Sequence, residues 1–207
     1  LIPTNCTMLA GPRYALIRDE IHQARLALPT THDTRTALRI LVMMGGVDKD
    51  NITGQVLSAL DALDSKVMLE IQVVMGPFSP WINQLTEMSR QMHWPTRVVQ
   101  NPDNFVELMC VSDIAIGAAG TSALERCCLG LPSVNFVLAP NQRLSALALK
   151  AAEASHLVEL QAGWQATLHQ CVRELQHHAS RQTMRQACMQ ITDGSGTELV
   201  AQEMCHA

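Results

Sequence analysis

The residues best suited to bind a ligand lie where an apolar segment meets a helical pattern. The pattern predicts a strand at residues 113–116, followed by the five small residues 117–121 and then the start of a helix. Such a turn directs several backbone N–H groups and the positive end of the helix dipole at one point, which favours a bound anion, most often a phosphate. Two interpretations stay open: a phosphate site, or an ordinary tight turn in which the glycines only allow close packing.

The start of this predicted helix carries two hydroxyls and, slightly later, two charged side chains. Thr121 or Ser122 is expected to cap the helix, because a hydroxyl oxygen accepts an N–H group of the first turn. Glu125 follows at a spacing that also fits a capping box. Arg126 is expected on the solvated side of the helix or paired with a neighbouring acid.

Composition excludes several classes of protein. The chain has 207 residues, of which 47% are hydrophobic and 16% charged, so it can bury one large core or form a domain with an arm. The net charge of −4, without a basic run, argues against a nucleic-acid surface. No apolar run reaches the roughly 18 to 20 residues that a membrane span needs. The chain begins at Leu1 without a methionine, so an upstream portion is expected.

Cysteine and histidine usage indicates neither disulfides nor a metal. Seven cysteines without a CxxC pair are typical of reduced, mostly buried thiols in a cytoplasmic protein. Cys127 and Cys128 are expected to pack in the core, since no nearby residue supplies an obvious base. The eight histidines are scattered, and the adjacent pair His177 and His178 would point about 100° apart on a helix. No metal or cofactor is therefore expected.

The elements that must position the turn follow an alternating pattern. Apolar runs bounded by glycine or proline alternate with amphipathic windows of helical length, which predicts βαβ units and a parallel sheet. The fold class is thus α/β, a Rossmann-like doubly wound sheet of about six strands with peripheral C-terminal helices. The predicted strands are residues 39–44, 66–75, 96–100, 113–117, 133–138 and 157–160. The predicted helical windows are residues 51–63, 80–92, 103–110, 122–130, 142–154, 164–178, 180–191 and 196–207.

In such a sheet, ligands bind beyond the carboxyl ends of the strands, near the point where the strand order reverses. Three loops should converge there, at residues 45–48, 76–79 and 117–121. No GxGxxG follows the first strand, so the usual NAD fingerprint is absent, and no GxxxxGK[ST] occurs. A phosphate would therefore be held by backbone amides and hydroxyls, without a lysine.

Three segments carry a family resemblance. MMGGVDKDN together with GAAGTSALERCCLGLPSVNFVLAPNQ resembles the C-terminal nucleotide-binding domain of the glycosyltransferase B fold. Within that class it is most similar to the UDP-sugar hydrolase of pseudaminic acid biosynthesis and its spore-coat polysaccharide relatives. GPRYALIR resembles the segment that enters the second domain of those hydrolases. The resemblance runs from about residue 11 to residue 141, and it implies an arm or hinge at residues 1–37 and a UDP-sugar-binding domain at residues 38–207.

The resemblance also implies a binding site whose ligand is UDP or a UDP-sugar. Glu125 would accept hydrogen bonds from the ribose hydroxyls, although it could also be only a capping residue. Asn135 is a weaker candidate, because strand alternation could equally point it into the flank of the sheet. The other implied contacts are Gly45 and Gly46 with the diphosphate or sugar, Ala119, Gly120, Thr121 and Ser122 with the diphosphate, Phe105 and Val106 with the uracil, and Asn141 and Gln142 with the sugar or phosphates. Asn141 could instead cap a helix.

Two departures from the family pattern shape the functional expectation. The catalytic histidine of the family lies in an N-terminal domain, and no histidine of this chain matches its glycine-rich loop, so no catalytic residue is assigned here. Ala119 stands where the family loop has a second glycine. The resemblance therefore implies the UDP-binding domain of a hydrolase that releases UDP from a UDP-activated deoxy amino sugar, in surface polysaccharide or nonulosonic acid biosynthesis.

Two alternatives remain: the donor-binding domain of a UDP-sugar glycosyltransferase, and a non-catalytic nucleotide-sugar-binding module. In each case the expected partner is a small molecule. If an N-terminal domain is missing, the face left by it should be exposed and apolar, which makes a homodimer through that face a further expectation.

Overall fold

Six parallel strands form one sheet in the computed structural model, which describes residues 6–28 and 36–206. The strands are β1 (Leu38–Met43), β2 (Leu69–Met75), β3 (Thr96–Gln100), β4 (Ile114–Ala118), β5 (Ser133–Phe136) and β6 (His156–Val158). Their order in the sheet is β3-β2-β1-β4-β5-β6. The order reverses between β1 and β4, and this is the switch point of a doubly wound sheet. The predicted fold class is confirmed.

The central strands are apolar except for Arg39 near the start of β1, because both faces of the sheet are covered. In β1, Ile40 and Val42 pack into one core cluster, while Leu41 and Met43 pack into a second cluster on the other face. A strand that is buried on both faces has no polar alternation, which is why the sequence shows a continuous apolar run here.

Helices cover the two faces. Those that contribute to the cluster of Ile40 are α2 (Ile52–Asp61), α3 (Ile82–Gln91), α6 (Arg143–Ala151), α7 (Trp164–Leu175) and α8 (His178–Ile191). Those that contribute to the cluster of Leu41 are α1 (Asp19–Leu26) and α4 (Phe105–Val111). Helix α5 (Thr121–Cys128) contributes to both clusters, with Ala123 and Cys127 in the first and Cys128 in the second. The last helix is α9 (Gly196–His206), and short 3-10 turns lie at Pro12–Tyr14 and Pro140–Gln142. All eight predicted helical windows therefore contain a helix.

The described part of the predicted arm packs against the sheet domain. Ile17 and Ile21 are buried in the second cluster, and α1 contacts both α4 and α5. Arg25 donates to the carbonyl oxygen of Cys128 across 2.6 Å, and Thr197 donates to the carbonyl oxygen of Ile17 across 2.9 Å. Residues 6–28 are thus tied to the far end of α5 and to the last helix. Residues 29–35 of the predicted arm lie outside the described residues.

Strand β5 ends two residues earlier than predicted. The backbone N–H of Leu138 donates to the side-chain oxygen of Gln142, 2.9 Å away, instead of continuing the ladder of the sheet. β5 therefore stops at Phe136, and the chain turns into the short 3-10 segment before α6. This turn brings the loop after β5 back toward the switch point.

Candidate anion-binding site at the switch point

The turn after β4 enters a helix that carries no side-chain cap. Gly120 is the residue before the first turn of α5, and neither Thr121 nor Ser122 makes a capping hydrogen bond. The predicted hydroxyl cap is therefore wrong, because α5 already begins at Thr121 and places both hydroxyl residues inside the first turn. The first N–H groups of an α-helix have no partner within the helix, so this turn is available to an anion.

The helix that follows β1 is different, because its own side chains occupy its N-terminus. The carboxylate of Asp48 accepts from the backbone N–H groups of Ile52 and Thr53, at 2.8 and 2.9 Å. The side chain of Asn51 accepts from the N–H of Gly54 across 3.1 Å. Of the two helices that begin beside the switch point, α5 is therefore the one whose N-terminus is open to a ligand.

Gly45 and Gly46 lie in the exposed loop after β1, whose Met43 pairs with Gly117 of β4. Gly45 has a positive φ of 100°, and a side chain on either glycine would meet no atom within 4 Å. On Gly76, in contrast, a Cβ atom would lie 2.0 Å from the carbonyl oxygen of Gly46. The loops after β1 and β2 thus pack backbone against backbone. This packing fixes the position of Gly46, while Gly45 and Gly46 both stay exposed.

Glu125 is buried and makes an ion pair that sequence reasoning missed. Arg18 donates from Nε to one carboxylate oxygen across 2.7 Å and from Nη2 to the other across 3.3 Å. The predicted capping box is wrong, because the carboxylate turns toward Arg18 instead of the start of α5. The hydrogen bond with Glu125 raises the pKa of Arg18 above its usual value. A carboxylate has about four acceptor positions, so Glu125 can still accept hydroxyl donors from a ligand.

Phe105 and Val106 open α4 and lie half-buried next to this ion pair. The guanidinium carbon of Arg18 lies 5.6 Å from the centre of the Phe105 ring, which is a cation–π distance. The structure thus brings Phe105, Arg18 and Glu125 together, although they come from three separate parts of the chain. The signal that could have found Arg18 is its place in the segment GPRYALIR, which the family resemblance already singled out.

Gln142 reaches the turn, whereas Asn141 stays exposed. A Cβ atom on Gly120 would lie 3.7 Å from the side-chain nitrogen of Gln142, so the amide stands beside the start of α5. Gln142, not Asn141, is the residue that precedes α6, and it makes no side-chain cap hydrogen bond there. The alternative of Asn141 as a helix cap is therefore wrong, and its side chain is free to face a ligand.

Arg126 lies in the interior, contrary to the expectation of a solvated side chain. Its exposure is 0%, and it donates from Nη2 to the Asn135 side-chain oxygen at 2.7 Å and to the carbonyl oxygen of Ala118 at 2.9 Å. Its Nε donates to the hydroxyl of Ser133 across 3.2 Å. Asn135 is only 1% exposed, and its side-chain oxygen accepts from Arg126, so this residue is buried against Arg126.

The thiols near the site are structural. Cys127 and Cys128 are buried, as predicted, and burial raises the pKa of the Cys128 thiol above its usual value. The histidines His156 and His169 are engaged elsewhere, with Glu174 and with the carbonyl oxygen of Ala59. Within residues 6–28 and 36–206, no three metal-binding side chains come together.

Large apolar side chains are exposed around the carboxyl ends of the strands. Phe78 and Leu144 are more than four-fifths exposed, at 83% and 81%. Five such side chains in the segments that follow β1, β2, β5 and β6 are here called the apolar rim: Val47, Phe78, Leu144, Leu147 and Leu160. None of the helices in the described part of the chain has the length and apolar character to cross a membrane. The exposure of its side chains makes the apolar rim a candidate protein contact.

Comparison with known proteins gives a family match over most of the chain. The profile of the family described as "Glycosyltransferase family 28 C-terminal domain" matches residues 39–201. The spore coat polysaccharide biosynthesis protein SpsG of Bacillus subtilis is 25% identical over 199 residues, which are 93% of this chain and 56% of that protein. An uncharacterized protein of Methanocaldococcus jannaschii is 29% identical over 126 residues, 60% of this chain and 26% of that protein. The chain thus spans about half of the first relative and about a quarter of the second.

Solved structures share the architecture. MurG of Acinetobacter baumannii superposes with a TM-score of 0.76 and 15% identity, covering 100% of this chain and 58% of that chain. The UDP-GlcNAc 2-epimerase of Neisseria meningitidis, solved with bound UDP-GlcNAc, superposes with a TM-score of 0.57 and 15% identity, covering 91% of this chain and 48% of that chain. The fold is the Rossmann-like half of a glycosyltransferase B fold, as the resemblance implied.

Proposed function

The chain belongs to the glycosyltransferase family 28 C-terminal domain family, and we propose that it binds the nucleotide of a UDP-sugar within a larger enzyme. The observation that carries the proposal is the uncapped N-terminus of α5, which opens at the switch point beside the buried carboxylate of Glu125. Backbone amides and a helix dipole favour a diphosphate, and a buried carboxylate favours hydroxyl donors. UDP presents both groups in one molecule.

The roles that we assign follow the order of groups in that ligand. The diphosphate would bind at the residues of the turn and first helical turn, with Gly45 and Gly46 approaching from the other side of the switch point. Glu125 would accept from the ribose, held in orientation by Arg18. The uracil would lie along the start of α4, at Phe105 and Val106. The assigned turn residues are Ala119, Gly120, Thr121 and Ser122, and Asn141 and Gln142 are assigned to the sugar or phosphates.

For the parent enzyme we propose hydrolysis of a UDP-activated deoxy amino sugar in surface polysaccharide or pseudaminic-type acid biosynthesis. The support is the similarity to the spore coat polysaccharide protein and the residue pattern around Glu125. The bond between the sugar carbon and the β-phosphate oxygen would break, and water would supply the new hydroxyl. The N-terminus of α5 would stabilise the charge that grows on the departing UDP. A base from the other half of the enzyme would take the proton of the water.

A donor-binding role in a UDP-sugar glycosyltransferase is supported equally, because the matching family is named for glycosyltransferases. The two enzymes would use this site in the same way. They differ in whether water or an acceptor hydroxyl attacks the sugar, and that group would be held by the other half. The proposal for the UDP site is common to both.

We also propose that residues 1–37 connect residues 38–207 to the other half of the enzyme, which would cover the apolar rim. The turn at the switch point would then lie in a cleft between the halves, where water can be controlled. The exposed side chains of Phe78 and Leu144 support this placement.

Thermal unfolding with excess UDP, UMP or NAD tests the UDP site. A ligand at about 100 times its dissociation constant stabilises the native state by roughly 2.7 kcal/mol, which is a shift of several degrees for a domain of this size. We expect a shift with UDP, a smaller one with UMP and none with NAD. The absence of any shift with UDP would contradict a site within this chain, and would favour a module that binds no nucleotide on its own.

A further inference from the structure

Arg126 is a fully buried cation whose hydrogen-bond acceptors are all neutral. Its guanidinium donates to a serine hydroxyl, an asparagine oxygen and a backbone carbonyl, and it makes no ion pair with a carboxylate of the described residues. A buried charge is costly unless an opposite charge or a full set of hydrogen bonds compensates it. Arg126 has no carboxylate partner among the described residues. It also lacks a full set of hydrogen bonds, because one of its three nitrogens is unpartnered.

That third nitrogen, Nη1, is buried without a hydrogen-bond partner. It lies 2.9 Å from the position that a Cβ atom on Gly117 would occupy, and the same position is 2.7 Å from the carbonyl oxygen of Met43. Gly117 and Met43 are paired across β4 and β1, the two strands that meet at the switch point. The unpartnered donor therefore lies beside Gly117, in the last part of β4, just before the turn that leads into α5.

Of the two arginines near this turn, Arg18 has carboxylate partners among the described residues, Glu125 and Glu20, whereas Arg126 pairs with neither. The N-terminus of α5 adds the positive end of its dipole. Burial lowers the pKa of Arg126 to about 10, so its guanidinium stays charged at neutral pH. An anion bound at the turn would therefore supply the opposite charge that Arg126 lacks.

We propose that Arg126 is a positioning residue for the ligand's diphosphate: its buried charge acts through the backbone of residues 117–120 and balances the negative charge bound at the N-terminus of α5. The proposal rests on the proposed UDP site and adds one residue to it. It also explains why a glycine occupies position 117, since a Cβ atom there would lie 2.9 Å from Nη1 and would displace the guanidinium.

The test compares ligands of different charge on variants that separate charge from hydrogen bonding. In Arg126→Gln, an amide can still donate to Asn135 but the charge is lost, whereas Arg126→Lys keeps the charge. We expect the Arg126→Gln substitution to weaken UDP binding about tenfold or more, while uridine binding changes by less than about twofold. In the Lys variant, the ratio of UDP to uridine affinity should stay within about threefold of the unmodified chain. Isothermal titration on the whole 207-residue chain gives both affinities.

Arg25→Met is the matched control, because Arg25 also donates only to neutral acceptors, here backbone carbonyl oxygens, but lies at the other end of α5. It should leave the ratio unchanged even if it lowers stability. The role of Arg126 would be overturned if Arg126→Gln lost UDP and uridine affinity equally. It would also be overturned if Arg126→Gln and Arg126→Lys had the same ratio of UDP affinity to uridine affinity. An unmodified chain that binds uridine but not UDP, or neither, would instead remove the proposed diphosphate site and this inference with it.

Discussion

Arg18 donates hydrogen bonds to both carboxylate oxygens of Glu125, at 2.7 and 3.3 Å, although Arg18 and Glu125 are 107 residues apart in the chain. One partner lies in the segment before the sheet and the other in the helix that opens at the switch point. The pair therefore couples the predicted hinge region to the proposed nucleotide site. Any displacement of residues 6–28 relative to α5 would also change the surroundings of the Glu125 carboxylate.

Replacing Arg18 by methionine is expected to weaken UDP binding about tenfold. Without the guanidinium, a buried carboxylate is left unpaired and faces the negative diphosphate. Because Arg18 is half-exposed and water can reach the vacated side of Glu125, the loss of stability should be about 1–3 kcal/mol, and the chain should still fold. Titration with UDP measures the effect, and Arg90→Met removes a surface arginine paired with Glu87 as the control. Equal affinities in the two variants would contradict the coupling.

The ribose contact of Glu125 can be tested with 2′-deoxy-UDP. A carboxylate that accepts from the missing hydroxyl should make the unmodified chain bind UDP about tenfold more tightly than the deoxy ligand. In Glu125→Gln this preference should fall to less than about twofold. Glu87→Gln, on the exposed face of α3, should keep the full preference. If Glu125→Gln discriminates between the ligands as the unmodified chain does, the ribose role is wrong.

Gly117→Ala is expected to lower the free energy of unfolding by about 1–3 kcal/mol, because the added methyl would meet Met43 and Arg126 at less than 3 Å. Gly46→Ala is the matched control, since a Cβ atom there meets nothing within 4 Å. It should change stability by no more than about 0.5 kcal/mol. Urea unfolding of both variants provides the comparison. Similar stabilities would show that the space beneath the turn is not tightly filled.

The apolar rim should make the isolated chain self-associate at high protein concentration. Exchanging its two most exposed members, in the double variant Phe78→Ser and Leu144→Ser, is expected to shift sedimentation toward the monomer. Leu26→Ser is the control, since Leu26 is 71% exposed but is the last residue of α1 in the arm. A monomer at all concentrations for the unmodified chain would leave the rim without this role.

The 207-residue chain alone is expected to show little or no hydrolysis of UDP-amino sugars, because the proposed base lies in the other half of the enzyme. Release of UDP from a panel of such sugars measures this directly. Adding the upstream half should restore turnover if the parent is a hydrolase. Robust turnover by the chain alone would mean that its own residues supply the base.

The sequence alone determined the sheet, the order of elements and the location of the turn. These features depend on local signals: the apolar runs of the buried strands, the helical periodicity between them, and the small residues before Thr121. Strand boundaries were less certain, and β5 shows why. Its end depends on the hydrogen bond between Leu138 and Gln142, which forms only when the following turn folds back.

The tertiary structure decided how the charged residues of α5 are used. A Glu–Arg pair in a short helix gives no local sign of burial, and both side chains were expected to act near the helix surface. Arg18, from the arm, satisfies Glu125, while Ser133 and Asn135 on β5 and the carbonyl of Ala118 accept from Arg126. Such partners are distant in sequence or lie on another strand. Only the packing of arm, helix and sheet brings them together, and that packing places positive charge beneath the turn.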